Sequence, residues 1–305
     1  MKKILLSLLT VGSLGALVYG ATQAFFSDTE TSVGNVLEAG AIDLKIDNTS
    51  YKTNNDGVLV GSSETSWQLS DLTVEKFFNF FDLKPGDQGE DTISIHVNNN
   101  DAWACANLQI TGNFDNGFSE PEDEMDGPTP GDGTALGDLA QELNFAFWND
   151  DGDNVFESDE TIAVQGPASS VLGGATMALA QPQLAGPALF GNNPLTGATT
   201  EYIGKYYCYG TFTPAAVTQD GVNTSGPLSR GTGFTCNGTT VTNLSQTDQL
   251  VGDIRFYAVQ ARNNPNFSCS QVPWPTSSPL VSPVASPSPA PTATPTAIPI
   301  PSSTP

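Results

Sequence analysis

The chain is short of positive charge. Ten Lys and Arg stand against thirty-three Asp and Glu in 305 residues, a formal charge of −23, which becomes −25 if Lys2 and Lys3 leave with a leader. Nucleic acid is excluded as a partner, because binding it rests on cations that neutralise phosphates. An acidic surface suits calcium, solubility in salt or an extracellular matrix. Histidine is nearly absent, with His96 alone. A hydrolytic zinc normally takes three protein ligands, often histidines, and no H-E-x-x-H occurs. A Ser-His-Asp set would have to use that same residue, and no serine sits in a G-x-S-x-G turn, so catalysis is not expected. The four cysteines show no C-x-x-C spacing, which argues against zinc. An unbroken apolar span is missing too. The run from Ile4 to Val18 is interrupted by Ser7, Thr10, Gly12 and Ser13, short of the ~20 apolar residues of a membrane-spanning helix.

What is present begins with export. Lys2 and Lys3, the apolar run, and then Gly20, Ala21, Thr22, Gln23 and Ala24 have the order of a cleavable secretory signal. Thr22 and Ala24 at the −3 and −1 positions predict that a signal peptidase cuts after Ala24, with an uncleaved anchor as the alternative. The roughly 280 residues that then remain are enough for one large β domain or two small ones, and 25–272 is read as one β domain. In an exported chain, four cysteines imply two disulfides with three pairings. Cys208 (YYCYG) and Cys236 (FTCNG) lie close along the chain; pairing them leaves Cys105 (WACANLQI) for Cys269, just past DIRFYAVQA. Loop-closure entropy predicts about 3.6 kcal/mol for the short loop and about 5 for the long one.

Strand patterns recur. Ile42, Leu44 and Ile46 alternate with Asp43, Lys45 and Asp47, and Ile93, Ile95 and Val97 with Ser94, His96 and Asn98, which predicts strands with one buried face and a surface histidine. Asn55-Asp56-Gly57 reads as a hairpin turn. Phe77, Phe78, Phe80, Phe81 and Leu83 read as core, and Pro85-Gly86-Asp87 as a turn. Residues 115–138 read as a solvated acidic loop, and Thr134 as the N-cap of a short helix reaching Glu142. Leu143, Phe145 and Phe147 enter another strand, and Thr161 to Gln165 return. Residues 166–200, rich in Gly, Ala and Pro, read as an insertion with a helical turn around Ser170 to Leu179. An aromatic strand follows with Tyr206, Tyr207 and Tyr209. The last strand, Ile254 to Ala261, is apolar on both faces, which predicts a central place in its sheet. Residues 273–305, almost all Pro, Ser, Thr and Ala, form no core and read as a disordered stalk open to O-glycosylation. Five N-x-S/T sequons (Asn48, Asn223, Asn237, Asn243, Asn266) fit an exported protein.

The stretch N-D-D-G-D-N-V-F-E-S-D-E carries calcium-loop spacing. From Asn149, oxygen ligands fall at positions one, three and five (Asn149, Asp151, Asp153), a backbone carbonyl at seven (Val155), and Glu157 and Glu160 at nine and twelve. The glycine is at four, with Asn154 at six, where asparagine tolerates the left-handed conformation. Strand-like flanks predict a strand–loop–strand clip for Ca²⁺. A plain Asp151-Gly152 hairpin turn with solvated acids is the competing reading.

The pattern A-F-F-S-D-T-E-T-S, then G-N, then A-G-A-I-D-L-K-I in residues 24–46 resembles the amino terminus of the TasA/camelysin family of secreted fibre proteins with SipW-type signals. Lys84-Pro85-Gly86-Asp87 and the strand after it are similar more loosely. The resemblance implies an all-β, jelly-roll-like sandwich with short helices in its loops. It also implies a homopolymer in an extracellular or biofilm matrix, in which the freed amino-terminal strand of one subunit completes the sheet of the next. Residues 25–40 are then the donor segment, with Phe25 and Phe26 as apolar anchors. Other matrix or cell-surface components are expected partners. The alternatives are a calcium-dependent adhesin or carbohydrate-binding module on the stalk, and a metallopeptidase like those in which camelysin relatives are classed, against which the single histidine argues.

Overall fold

The computed structural model describes residues 27–31, 42–98, 100–116, 137–221 and 225–275. Ala24, Phe25, Phe26, Thr134, most of the acidic stretch 115–138, Asn223 and the chain beyond 275 lie outside the described residues.

Two antiparallel sheets face each other. In spatial order the smaller has β1 (Ser27–Thr31), β13 (Gln249–Gln260), β6 (Ala102–Phe114) and β9 (Gly173–Ala180). The larger has β3 (Leu59–Gly61), β2 (Asp43–Thr53), β5 (Gln88–Asn98), β10 (Thr199–Tyr209), β7 (Leu143–Asp150) and β8 (Ile162–Pro167), with β4 (Trp67–Ser70) also on β2. Numbering β1, β5 to β10 and β13 from one to eight, the sheets read 1-8-3-6 and 2-7-4-5. This is the paired Greek key of a jelly roll, with β2 to β4 added at one edge. A separate hairpin, β11 (Thr211–Pro214) with β12 (Phe234–Asn237), lies outside the sandwich. Helices are single turns: α1 (Leu139–Glu142), α2 (Ala168–Val171) and α3 (Pro227–Arg230). No helix among the described residues is long and apolar enough to cross a membrane.

The core fills the space between the sheets. Leu44, Ile46, Ile93, Ile95, Phe145 and Phe147 point inward from the larger sheet, and Leu108, Ile254 and Phe256 from the smaller. Phe77 inserts between the two sheets, 4.9 Å from the Trp67 ring and 6.0 Å from Phe256. Full burial of such a side chain contributes about 1.5–3 kcal/mol. Phe80 stacks on Tyr207 at 4.7 Å, but Phe81 points outward, 78% exposed, against the expectation that the whole aromatic block is core.

The outer faces are covered as well, and alternation alone could not reveal this. Over the larger sheet lie Phe156 and Phe234, packed on Trp148, Tyr206 and Cys208. Over the smaller sheet lie Cys269 and Val272, packed on Cys105. Each disulfide fastens one cover to its sheet. Cys208–Cys236 ties β12 to β10, and Cys105–Cys269 ties the turn after β13 to β6, with Cα separations of 5.6 and 5.7 Å. Both sit in the ordinary range for a disulfide, and both cysteine pairs are those expected. Disulfides persist in oxidising compartments such as the extracellular space.

Four expectations need correction. Strand β5 is buried on both faces, since Thr92 and Ser94 on its outer face are buried, and His96 is partly buried, contacting Ser94, Thr200 and Asp47. Residues 166–200 are not an insertion, because β9 is the edge strand of the smaller sheet, paired with β6. Its Gly-Ala-rich sequence carries Thr176 as its one β-branched residue, so strand pairing overrides weak propensity. The helical turn there is α2, which overlaps the expected Ser170 to Leu179 only at Ser170 and Val171, the rest of that span being mainly β9. Asn48, in a sequon, is 1% exposed and inaccessible in the folded chain.

Candidate functional site

The connection from β7 to β8 sits on the outer face of the larger sheet. Strand alternation puts Asp150 on that face and Asn149, which is exposed, on the other. Asp150 accepts hydrogen bonds from Thr92 Oγ1 (2.9 Å), Trp148 Nε1 (3.1 Å) and Gly152 N (3.0 Å). Burial pushes its carboxyl up to about 6, and the hydrogen bonds oppose the rise. The reach to Thr92 crosses Gly204 of β10, where the Trp148 indole lies so close that a Cβ would sit 2.0 Å from its ring.

The loop turns through Gly152 (φ +108°) and Asn154 (φ +68°). Asparagine thus takes the left-handed position that a Cβ normally disfavours. Asp153 accepts from Val155 N at 2.9 Å, and Val155 itself is fully buried. Glu160 closes the loop, accepting from Glu157 N at 2.8 Å and Asp151 N at 3.2 Å. A distant segment clamps it from outside: Phe156 N donates to Thr232 O (3.1 Å) and Ser158 N to Val217 O (2.8 Å).

Of the expected ligands, the structure brings together Asp151, Glu157 and Glu160, each with one carboxylate oxygen within 4.8 Å of the others'. Oxygens that share a calcium at 2.3–2.6 Å lie no more than about 5 Å apart, so the spacing fits. A second group joins Asp153, Glu157 and Asp220. There the fork of Arg230, at the end of α3, binds Asp153 through Nη1 (2.6 Å) and Glu157 through Nη2, with Asp220 at 3.4 Å. Asn149, on the wrong face of β7, takes no part.

Sequence reasoning missed Asp150, Asp220, Arg230 and Glu90. The last lies on the outer face of β5, fully buried, and neither carboxyl oxygen has a hydrogen-bond partner among the described residues. Burial raises its pKa well above the ordinary carboxylate range, and Asp150, Asp153, Asp91 and Glu160 add to the rise. Burial likewise pushes Asp153 up to about 7, with Asp151, Asp150 and Glu157 adding and Arg230 opposing. Glu160 rises to about 8, mainly through burial. The patch therefore collects far more negative charge than Arg230 neutralises. Hard oxygen donors held this way suit a divalent cation of calcium's size.

At the far side of the molecule, β1 forms one edge of the smaller sheet. It pairs antiparallel with β13 from Ser27 opposite Val259 to Thr31 opposite Arg255. Tyr206, Tyr207 and Tyr209 are buried and present no ring face to a glycan. No protein-family model matches this chain, and no curated protein is significantly similar to it.

Proposed function

We propose that this chain is an exported structural subunit that assembles into extracellular filaments by strand addition, with calcium bound at the loop between β7 and β8. One observation carries the reading: among the described residues, β1 is an edge strand whose one partner strand is β13. An uncovered β13 edge would expose a row of unpaired backbone groups. The same row accepts an identical strand from a second molecule, with main-chain bonds giving affinity and alternate side chains giving register. Departure of β1 would break the pairing with β13 and leave β13 still paired with β6. A leader attached ahead of Phe25 and Phe26 would obstruct docking, which gives its removal by a signal peptidase a regulatory role. The resemblance of residues 24–46 to the TasA/camelysin family supports the same reading.

Electron microscopy of protein beginning at Phe25, with and without calcium, tests it. Filaments are expected, and deleting residues 25–32 should abolish them. Particles that stay single at high concentration, with β1 on their own β13, would sink the proposal. The carboxylate loop favours a second reading, a calcium-dependent adhesin or carbohydrate-binding module. That reading requires saturable glycan binding lost in EGTA by a monomer, and the buried tyrosines leave its glycan face to other residues. The metallopeptidase reading draws no support from His96, which is held by Ser94, Thr200 and Asp47; casein hydrolysis lost with a chelator would revive it.

A further inference from the structure

Between the sheets, Lys205 of β10 and Asp91 of β5 are directly opposite one another, both fully buried, with Nζ in contact with Oδ2. We propose that these two side chains condense to an intramolecular isopeptide bond, a covalent cross-link between the two central strands of the larger sheet.

The surroundings match the reaction. Nζ donates to Phe77 O at 2.8 Å and lies 3.9 Å from the centroid of the Phe78 ring, which shuts out solvent. Asn48 Nδ2 donates to Asp91 Oδ1 at 3.2 Å and is itself anchored on Thr65 O at 2.6 Å. Proton transfer within the ion pair gives a neutral amine and a carboxylic acid. The Nζ lone pair then attacks Cγ, a C–N bond forms, and the Asn48 amide stabilises the charge that develops on Oδ1. The C–OH bond breaks, and the hydroxyl departs with one amine proton as water. Nothing is oxidised or reduced, and no co-reactant is needed.

Two physical terms favour the product. Two charges sealed from water carry a desolvation penalty that an amide does not, and burial already lowers the Lys205 pKa, with Asp91 opposing. Positioning by two paired strands supplies the proximity that makes such condensations fast, with effective molarities of about 10⁵–10⁸ M in well-oriented systems. The product also satisfies its polar atoms in place: its N–H keeps Phe77 O as acceptor, and its carbonyl keeps Asn48 Nδ2 as donor. The cross-link would join residues that lie far apart in sequence across the sheet, which suits a subunit under tension.

Peptide mapping tests this on the full chain, reduced, alkylated and digested under denaturing conditions with a protease that cleaves at acidic residues. The expected result is a branched peptide joining Asp91 to Lys205, lighter by one water than its two linear parts. Asp91→Ala should release both linear peptides. Lys205→Arg, which keeps a buried cation against Asp91 but offers no amine, should do the same in a folded protein with both disulfides intact. Recovery of unmodified Asp91 and Lys205 peptides from the wild-type chain overturns the proposal, and that outcome needs no variant to fold.

Discussion

Glu90 and Asp91 are neighbours in β5 and face opposite sides of one sheet, and their surroundings could hardly differ more. Inside the sandwich Asp91 meets a single ammonium and the amide of Asn48, so its charge is answered within the chain. Outside, Glu90 has no hydrogen-bond partner among the described residues, and the carboxylates of Asp150, Asp153, Asp91 and Glu160 add to its charge burden. The inner site is complete as built. The outer one holds more negative charge than the single nearby guanidinium balances, and that imbalance is what a bound cation would remove. A structural subunit can use both arrangements, one fixed and one responsive to its surroundings.

The largest expected effect comes from breaking the inner site. Lys205→Met leaves Asp91 buried without a counter-charge, and removing one partner of such a pair typically costs about 3–5 kcal/mol. Denaturant unfolding should show at least this loss. Adding Asp91→Leu to Lys205→Met should recover most of the charge penalty, because neither ion then remains. Glu90→Gln, one residue away, should instead stabilise the calcium-free protein. If Lys205→Met and Glu90→Gln destabilise alike, the contrast between the two faces is wrong.

Calcium should act on the outer face alone. A ligand at a hundred times its dissociation constant stabilises by about 2.7 kcal/mol, seen as a rise in Tm that EGTA reverses. Glu157→Gln or Glu160→Gln should remove that rise. The sign of the pH dependence follows from the raised carboxyls: Asp150, Asp153 and Glu160 hold protons more tightly in the folded chain, at about 6, 7 and 8. Their contribution is present in full below the unfolded value of about 4 and is lost as pH rises through the folded values. Tm in chelator should therefore fall from acid to mildly alkaline pH, and calcium should flatten the slope.

Much of the frame was legible in the sequence because alternation, turn residues and cysteine spacing are local. Leu44 and Ile46 mark β2 correctly, and the Asn55-Asp56-Gly57 turn appears with Asn54 Oδ1 accepting from Asp56 N and Val58 N. Both disulfides followed from chain proximity. The pattern ends where inward positions turn polar: Asn48 and Ser50 continue the buried face of β2, and their partners Thr65 and Asp91 come from elsewhere in the chain. Strand β9 was hidden by its glycines and alanines. The candidate site was half visible. Its loop acids are contiguous, whereas Glu90 arrives through sheet register and Arg230 from a helix long after the loop, relations that no local spacing encodes.

The smallest expected effect separates spacing from geometry. A template of evenly spaced ligands assigns Asn149 the first position, on a par with Asp151. The strand assigns it nothing, since Asn149 continues the inner, Phe145 and Phe147 face of β7 at its exposed end, while Asp150 turns to the outer face under the loop. Asn149→Ala should leave calcium affinity unchanged and shift stability by no more than about 0.5 kcal/mol, as exposed substitutions do. Asp151→Asn removes one charged ligand from the group with Glu157 and Glu160, and a loss of about 1.4 kcal/mol in binding would appear as about a tenfold weaker dissociation constant. Calcium titration followed by Trp148 fluorescence reads both, since that indole donates to Asp150 at the root of the loop. Equal losses for the two variants would mean that the loop refolds around the ion, drawing Asn149 out of β7. The pairing of Asn149 with Ile203 would then have to break as calcium binds, and backbone hydrogen exchange at that position would show it.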